Sequence, residues 1–172
     1  LQRRELFAPS GTYIAFQNFT YLLSHREFWQ SVQNGVVFAG TSVALQTVLG
    51  LALALLLNRR FFARNFIRGV LLLPYILPSV VAILIFRWML NDLYGIVNAW
   101  LIMLGVVSVP VAWLGRPALA MLSLIGINTW MFFPFVMICV LARLQSIPPE
   151  LYEAARVDGA GPVSYTHLRA HE

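Results

Sequence analysis

Lysine is absent from this chain. All twelve basic residues are arginine, and with seven acidic residues they account for only 11% of 172 positions. A soluble domain carries about 25% charge. The shortfall, set against 59% hydrophobic residues, excludes an ordinary water-facing globule and points to a membrane protein. Cysteine is nearly absent too. Cys139 stands alone, so neither an internal disulfide nor a thiolate metal cluster can form within the chain, and the residue is expected to be a small buried hydrophobe. No stretch follows the phosphate-binding pattern Gly-x-x-x-x-Gly-Lys-Ser/Thr. No Ser/His/Asp set, carboxylate pair or metal-ligand cluster lies near an apolar run, which argues against an enzyme. The net charge of +5 comes from arginines mostly at the ends of apolar runs. There they orient helices against anionic lipid rather than bind nucleic acid.

What is present is a series of long apolar runs. The first, at about 35–57, would be roughly 34 Å long as a helix, enough to cross a bilayer core of about 30 Å. Asn58, Arg59 and Arg60 end it. The second, at about 69–88, contains Pro74 and Pro78, which remove helix hydrogen bonds and bend the rod. The third, at about 118–142, carries Asn128, Thr129 and Pro134. Residues 1–33 are rich in aromatics and are read as a surface loop with short helical pieces, its last aromatics forming an interfacial belt. The predicted fold class is an all-α polytopic membrane helical bundle.

Residues 93–113 are apolar but interrupted by Gly95, Asn98, Gly105, Ser108 and Pro110. Arg59, Arg60, Arg64 and Arg68 form the densest basic loop, which the positive-inside rule places in the cytoplasm. If 93–113 does not cross, the segment after the third span is cytoplasmic as well. An interfacial or re-entrant helix on the outer side is therefore expected, with a cysteine at Asn98 reachable from outside. Arg3, Arg4 and Arg26 fall on that outer side, against the rule.

After the third span, Ser146-Ile147-Pro148-Pro149-Glu150 reads as a helix start, proline and glutamate both suiting a first turn. A coupling helix over about 148–158 follows, with Leu151, Ala154 and Ala155 towards one side. Glu153 and Arg156 can pair with charges across an interface. Asp158-Gly159-Ala160-Gly161-Pro162 stops the helix. Its alanine face is too small for a lipid-bound helix and suits docking into a groove of a soluble protein.

Glu153-Ala154-Ala155, three residues and then Gly159 resemble the EAA loop of binding-protein-dependent ABC-transporter permeases. The phrase Leu144-Gln145-Ser146-Ile147-Pro148-Pro149-Glu150-Leu151-Tyr152 resembles the sugar-type branch. So do Asn58-Arg59-Arg60, Arg68-Gly69-Val70-Leu71-Leu72-Leu73-Pro74-Tyr75 and Phe86-Arg87-Trp88-Met89. The resemblance implies that 1–162 is part of a type I ABC importer transmembrane domain in a bacterial-type inner membrane. It also implies three partners: a cytoplasmic ABC ATPase dimer, a second permease subunit and an extracytoplasmic solute-binding protein. Leu151, Glu153, Ala154, Ala155, Arg156 and Gly159 would then couple to the ATPase, and this chain itself would hold no cofactor or metal.

The family pattern continues past the glycine with Ile-x-Leu-Pro, where this chain has Arg169, Ala170, His171 and Glu172. Residues 163–172 are therefore read as a frameshifted or foreign tail. The opening Leu1-Gln2-Arg3-Arg4 reads as a chain missing its first span. Such a piece is expected not to transport alone.

No Asp, Glu, Lys or His lies in the middle of a span. Coupled carriers keep such groups despite a cost of at least about 2.5–3.5 kcal/mol each, so an ion-coupled secondary transporter is the second reading. Uncharged Gln46, Asn128 and Thr129, with Trp130 beside them, suit a sugar or polyol pathway. Their bland alternative is hydrogen bonding between helices.

Overall fold

The structure is a computed structural model, and it describes residues 2–3, 12–13, 16–59 and 61–146. Two compact units divide the chain, residues 1–42 and 43–172. In the first, strands β1 (Gln2–Arg3) and β2 (Thr12–Tyr13) pair antiparallel, Gln2 opposite Tyr13 and Arg3 opposite Thr12. Helix α1 (Gln17–Ser24) ends at His25, whose extended backbone (ψ 127°) separates it from α2. Trp29 Nε1 donates to the Leu23 carbonyl at 2.9 Å and ties the two helices across that corner.

Helix α2 (Arg26–Asn58) has 33 residues and is about 50 Å long. It starts nine residues before the apolar run expected at 35, because Arg26–Asn34 continues the helix at the polar end, with Glu27 in the first turn. Helix α6 (Pro117–Gln145) has 29 residues, Pro117 in its first turn and Arg143 in its last. Both helices are long and apolar enough to cross a membrane.

The run at 69–88 is not one bent rod. Helix α3 (Arg64–Ile76) and helix α4 (Ser79–Met89) meet at 91°. Pro78 disfavours helical geometry at the residue before it. Leu77 accordingly adopts φ −66°, ψ 134°, and Pro78 φ −56°, ψ 129°. Two consecutive extended residues turn the chain where a single proline inside a helix, as at Pro74, leaves α3 continuous. The ambiguous stretch folds as helix α5 (Ile96–Met103), eight residues and about 12 Å long. A turn at Gly105, φ +69°, then sends the chain back towards α6.

The core of the second unit lies where α2, α3 and α6 meet. Ala54, Leu57, Met137 and Leu141 are buried there, with Leu53, Leu71, Leu72, Val140 and Leu144 packed around them. Close approach depends on Gly50: a Cβ there would stand 2.8 Å from Val136 Cβ. Outside this seam the long helices expose large apolar side chains, among them Val43, Val48, Leu51, Leu55, Leu56, Leu122, Leu124 and Phe135. That surface suits lipid, not water. Cys139, expected to be buried, is exposed on α6. Burial and hydrophobicity are decoupled when the surroundings are apolar, so a thiol gains little by facing inward.

Candidate translocation pathway

The uncharged polar residues of α2 and α6 come together. Gln46 Nε2 donates to Asn128 Oδ1 at 2.8 Å, with the Asn128 carbonyl oxygen at 3.4 Å. Thr129 is buried, and its hydroxyl has no hydrogen-bond partner among the described residues. Trp130 is 37% exposed and meets Phe86 of α4 edge-on, with ring centroids 5.2 Å apart. The Gln46–Asn128 bond is thus a helix-to-helix contact, the bland alternative for these residue types, while the Thr129 hydroxyl is enclosed and Trp130 keeps exposed ring surface.

Three aromatics extend the group beyond what residue types had marked out. Tyr75, one residue past Pro74, stacks on Phe135 with centroids 5.9 Å apart and meets Phe132 edge-on at 6.3 Å. The i, i+3 spacing of Phe132 and Phe135 on α6 is the available sequence signal. Its partner Tyr75 is set by the packing of α3 on α6. Among the described residues, every Asp, Glu or Arg in α2, α3, α4 and α6 lies near a helix end: Arg26, Glu27, Arg64, Arg68, Arg87 and Arg143. No group of His, Cys, Asp and Glu suited to a metal ion occurs among the described residues. The middle of the helices therefore holds paired amides, an enclosed hydroxyl and aromatic ring faces, with no charged group.

A second polar centre holds the α4–α5 hairpin. Asn98, 3% exposed, receives the Val111 N–H at 3.1 Å and the Trp113 Nε1–H at 3.0 Å on Oδ1. Its Nδ2 donates to the Val111 carbonyl at 3.0 Å and, more weakly, to those of Asn91 and Asp92 at 3.4 and 3.5 Å. Asn91 Oδ1 caps the Leu93 and Tyr94 amides at 2.9 and 3.2 Å. Gly95 is required at the turn, since a Cβ there would lie 2.2 Å from the Asn91 carbonyl oxygen. Asn98, read as an interruption and as an accessible position, is instead a buried staple. Its side chain is consumed by five hydrogen bonds and is not open to a labelling reagent.

Leu151, Glu153, Ala154, Ala155, Arg156 and Gly159, and the helix expected over 148–158, lie outside the described residues.

Two long apolar helices, a broken third and a polar-aromatic seam between them define a polytopic helical membrane protein. Residues 46–168 match the family described as binding-protein-dependent transport system inner membrane component, and the chain belongs to that family. It is 40% identical over 160 residues to the trehalose/maltose transport system permease protein MalF of Thermococcus litoralis, covering 93% of this chain and 54% of that protein. It is 35% identical over 159 residues to the probable ABC transporter permease protein YurN of Bacillus subtilis, covering 91% and 54%. The fold is similar to that of a bacterial ABC transporter involved in import of the acidic polysaccharide alginate. There the TM-score is 0.78 and the identity 28%, over 87% of this chain and 52% of the other. A related structure of the alginate transporter, in complex with alginate pentasaccharide-bound periplasmic protein, gives a TM-score of 0.77 at 29% identity. The chain spans about half the length of these relatives.

Proposed function

We propose that this chain belongs to the permease subunit of an ATP-driven, binding-protein-dependent importer of a sugar or related polyol. The family match over residues 46–168 carries this reading, and the trehalose/maltose permease among its relatives supports the substrate class. Gln46, Asn128, Thr129 and Trp130 line part of the pathway, joined by Tyr75, Phe86, Phe132 and Phe135. The segment from Glu150 to Pro162 docks on a cytoplasmic ATPase dimer, with Leu151, Glu153, Ala154, Ala155, Arg156 and Gly159 at the contact. A second permease subunit closes the pathway, and an extracytoplasmic solute-binding protein delivers substrate. ATP hydrolysis belongs to the ATPase partner.

An ion-coupled carrier is not favoured. The relatives are permeases of ABC systems, and no carboxylate or histidine occupies the middle of a described span to carry a proton or bind a cation.

Uptake of labelled saccharide by the complete transporter in membrane vesicles tests the reading. Uptake is expected to vanish when the ATPase is inactivated and to survive collapse of the ion gradients. Uptake that outlasts ATPase loss and falls with the gradients would overturn it.

A further inference from the structure

The turn between α2 and α3 carries an aromatic and cationic surface outside the residues assigned above to transport and ATPase coupling. Phe61, Phe62 and Phe66 fall within six residues and are 40%, 99% and 73% exposed. Arg59 is exposed beside them, and Arg64 helps line an open hollow of about 550 Å³ shared with Phe61, Phe62, Ala63, Asn65 and Phe66. The turn is built to this shape. Ala63 adopts the left-handed conformation, φ +65°, which a residue with a Cβ enters only at a cost. Arg68 closes the corner from behind: its Nη2 donates to the Leu57 carbonyl near the end of α2 at 3.1 Å. Arg68 is therefore engaged in the fold, while the three phenyl rings and Arg59 face outward.

What covers this patch follows from where it stands. It joins the ends of two apolar helices and runs directly into their exposed apolar rows, Leu55 and Leu56 on α2 and Val70 and Leu73 on α3. Rows of exposed apolar side chains on helices of this kind suit hydrocarbon. The turn therefore lies at the depth of the lipid headgroups, where aromatic rings partition into the acyl boundary and arginine meets phosphate. No acidic residue occurs between Asn58 and Gly69, so the charge of the turn is of one sign and complements an anionic leaflet. The patch holds three phenyls but lacks a carboxylate or amide array suited to a protein groove.

We propose that the α2–α3 turn is an interfacial anchor, in which Phe61, Phe62 and Phe66 insert at the acyl boundary and Arg59 and Arg64 hold the phosphate groups of anionic lipids. This inference goes beyond the transport reading and does not depend on it. Because α3 packs on α6 through the core at Leu71 and Leu72, the anchor sets the height at which that core meets the bilayer surface.

The test is a spin label at Phe62→Cys in the full-length permease, with Cys139 and every other native cysteine replaced by serine, in nanodiscs with and without phosphatidylglycerol. Phe62 is almost wholly exposed, so the label leaves the core intact. Collisions with oxygen relative to a water-soluble nickel chelate are expected to be several-fold more frequent than for a freely hydrated label. The label is expected to lie deeper when phosphatidylglycerol is present, and Arg59→Gln with Arg64→Gln should abolish that difference. A label as accessible to nickel as a hydrated one in both bilayers would overturn the proposal. So would a label shielded only after the cognate ATPase is added, which would make the patch a protein-docking surface. Equal depth in both bilayers would remove the anionic lipid from it.

Discussion

The α2–α3–α6 seam and the α4–α5 hairpin are held by opposite means. In the seam, Gly50 brings backbones close and Ala54, Leu57, Met137 and Leu141 interlock. Polar atoms contribute the Gln46–Asn128 pair and, near the end of α2, the Arg68 bond to the Leu57 carbonyl. In the hairpin a helix of only eight residues and a loop are fixed by the amide of Asn98 and the Asx-type cap at Asn91. The difference follows from the surroundings. Between helices in lipid, apolar burial gives no net advantage, because the alternative neighbour is equally apolar, and shape complementarity decides. A short helix with irregular flanks leaves backbone groups that need partners, and one well-placed amide can supply several at once.

That contrast can be broken at single positions. The largest effect is expected for Asn98→Leu, which leaves the Val111 amide, the Val111 carbonyl and the Trp113 indole N–H without their partner. At about 1–3 kcal/mol for each unsatisfied buried group, a loss of about 4 kcal/mol is expected. It would be read as protease sensitivity confined to 89–116 and a lower thermal midpoint in detergent. Asn98→Asp keeps both acceptor contacts but sets a second carboxylate oxygen against the Val111, Asn91 and Asp92 carbonyls, so it should not rescue the hairpin. A change below about 1 kcal/mol for the leucine variant would show that the hairpin does not depend on this amide.

Gly50→Leu comes next. Its Cβ alone would lie 2.8 Å from Val136 Cβ, and overpacking of this kind costs about 2 kcal/mol. Unfolding of the seam in mixed micelles should shift by that amount while proteolysis of the hairpin stays unchanged. Equal damage to both regions would undo the distinction between them.

The smallest effect is expected for Gln46→Leu, about 1 kcal/mol, the usual size of one polar contact between membrane helices. Saccharide uptake is the sharper readout there. If Asn128 serves the pathway as well as the helix contact, uptake falls further than a stability loss of that size explains; unchanged uptake would leave the pair purely structural.

Much of this architecture was legible from sequence, for reasons that also mark the boundary. Apolar runs ended by Asn58-Arg59-Arg60 and by Arg143 identify α2 and α6, because bilayer thickness constrains length and few other residues tolerate hydrocarbon. Pro78 identifies a break but not a 91° turn. Proline restricts its own φ and its neighbour's ψ, and only packing chooses where the next helix goes. Asn98 was visible as an interruption, yet its partners are thirteen and fifteen residues further on, and no periodicity connects them. Gln46 and Asn128 were recognisable by residue type. Their meeting across 82 positions was not. Cys139 shows a rule failing for a physical reason: inside–outside polarity carries no information where the outside is lipid.

The central claim is that the segment after α6 couples this permease to an ATPase. Its most direct test is a cysteine at Ala155, in the complete permease with Cys139 and every other native cysteine replaced, cross-linked to the cognate ATPase with and without ATP. A cross-link whose yield changes with nucleotide is expected. An inserted, folded permease that forms no such cross-link in either state would contradict the claim.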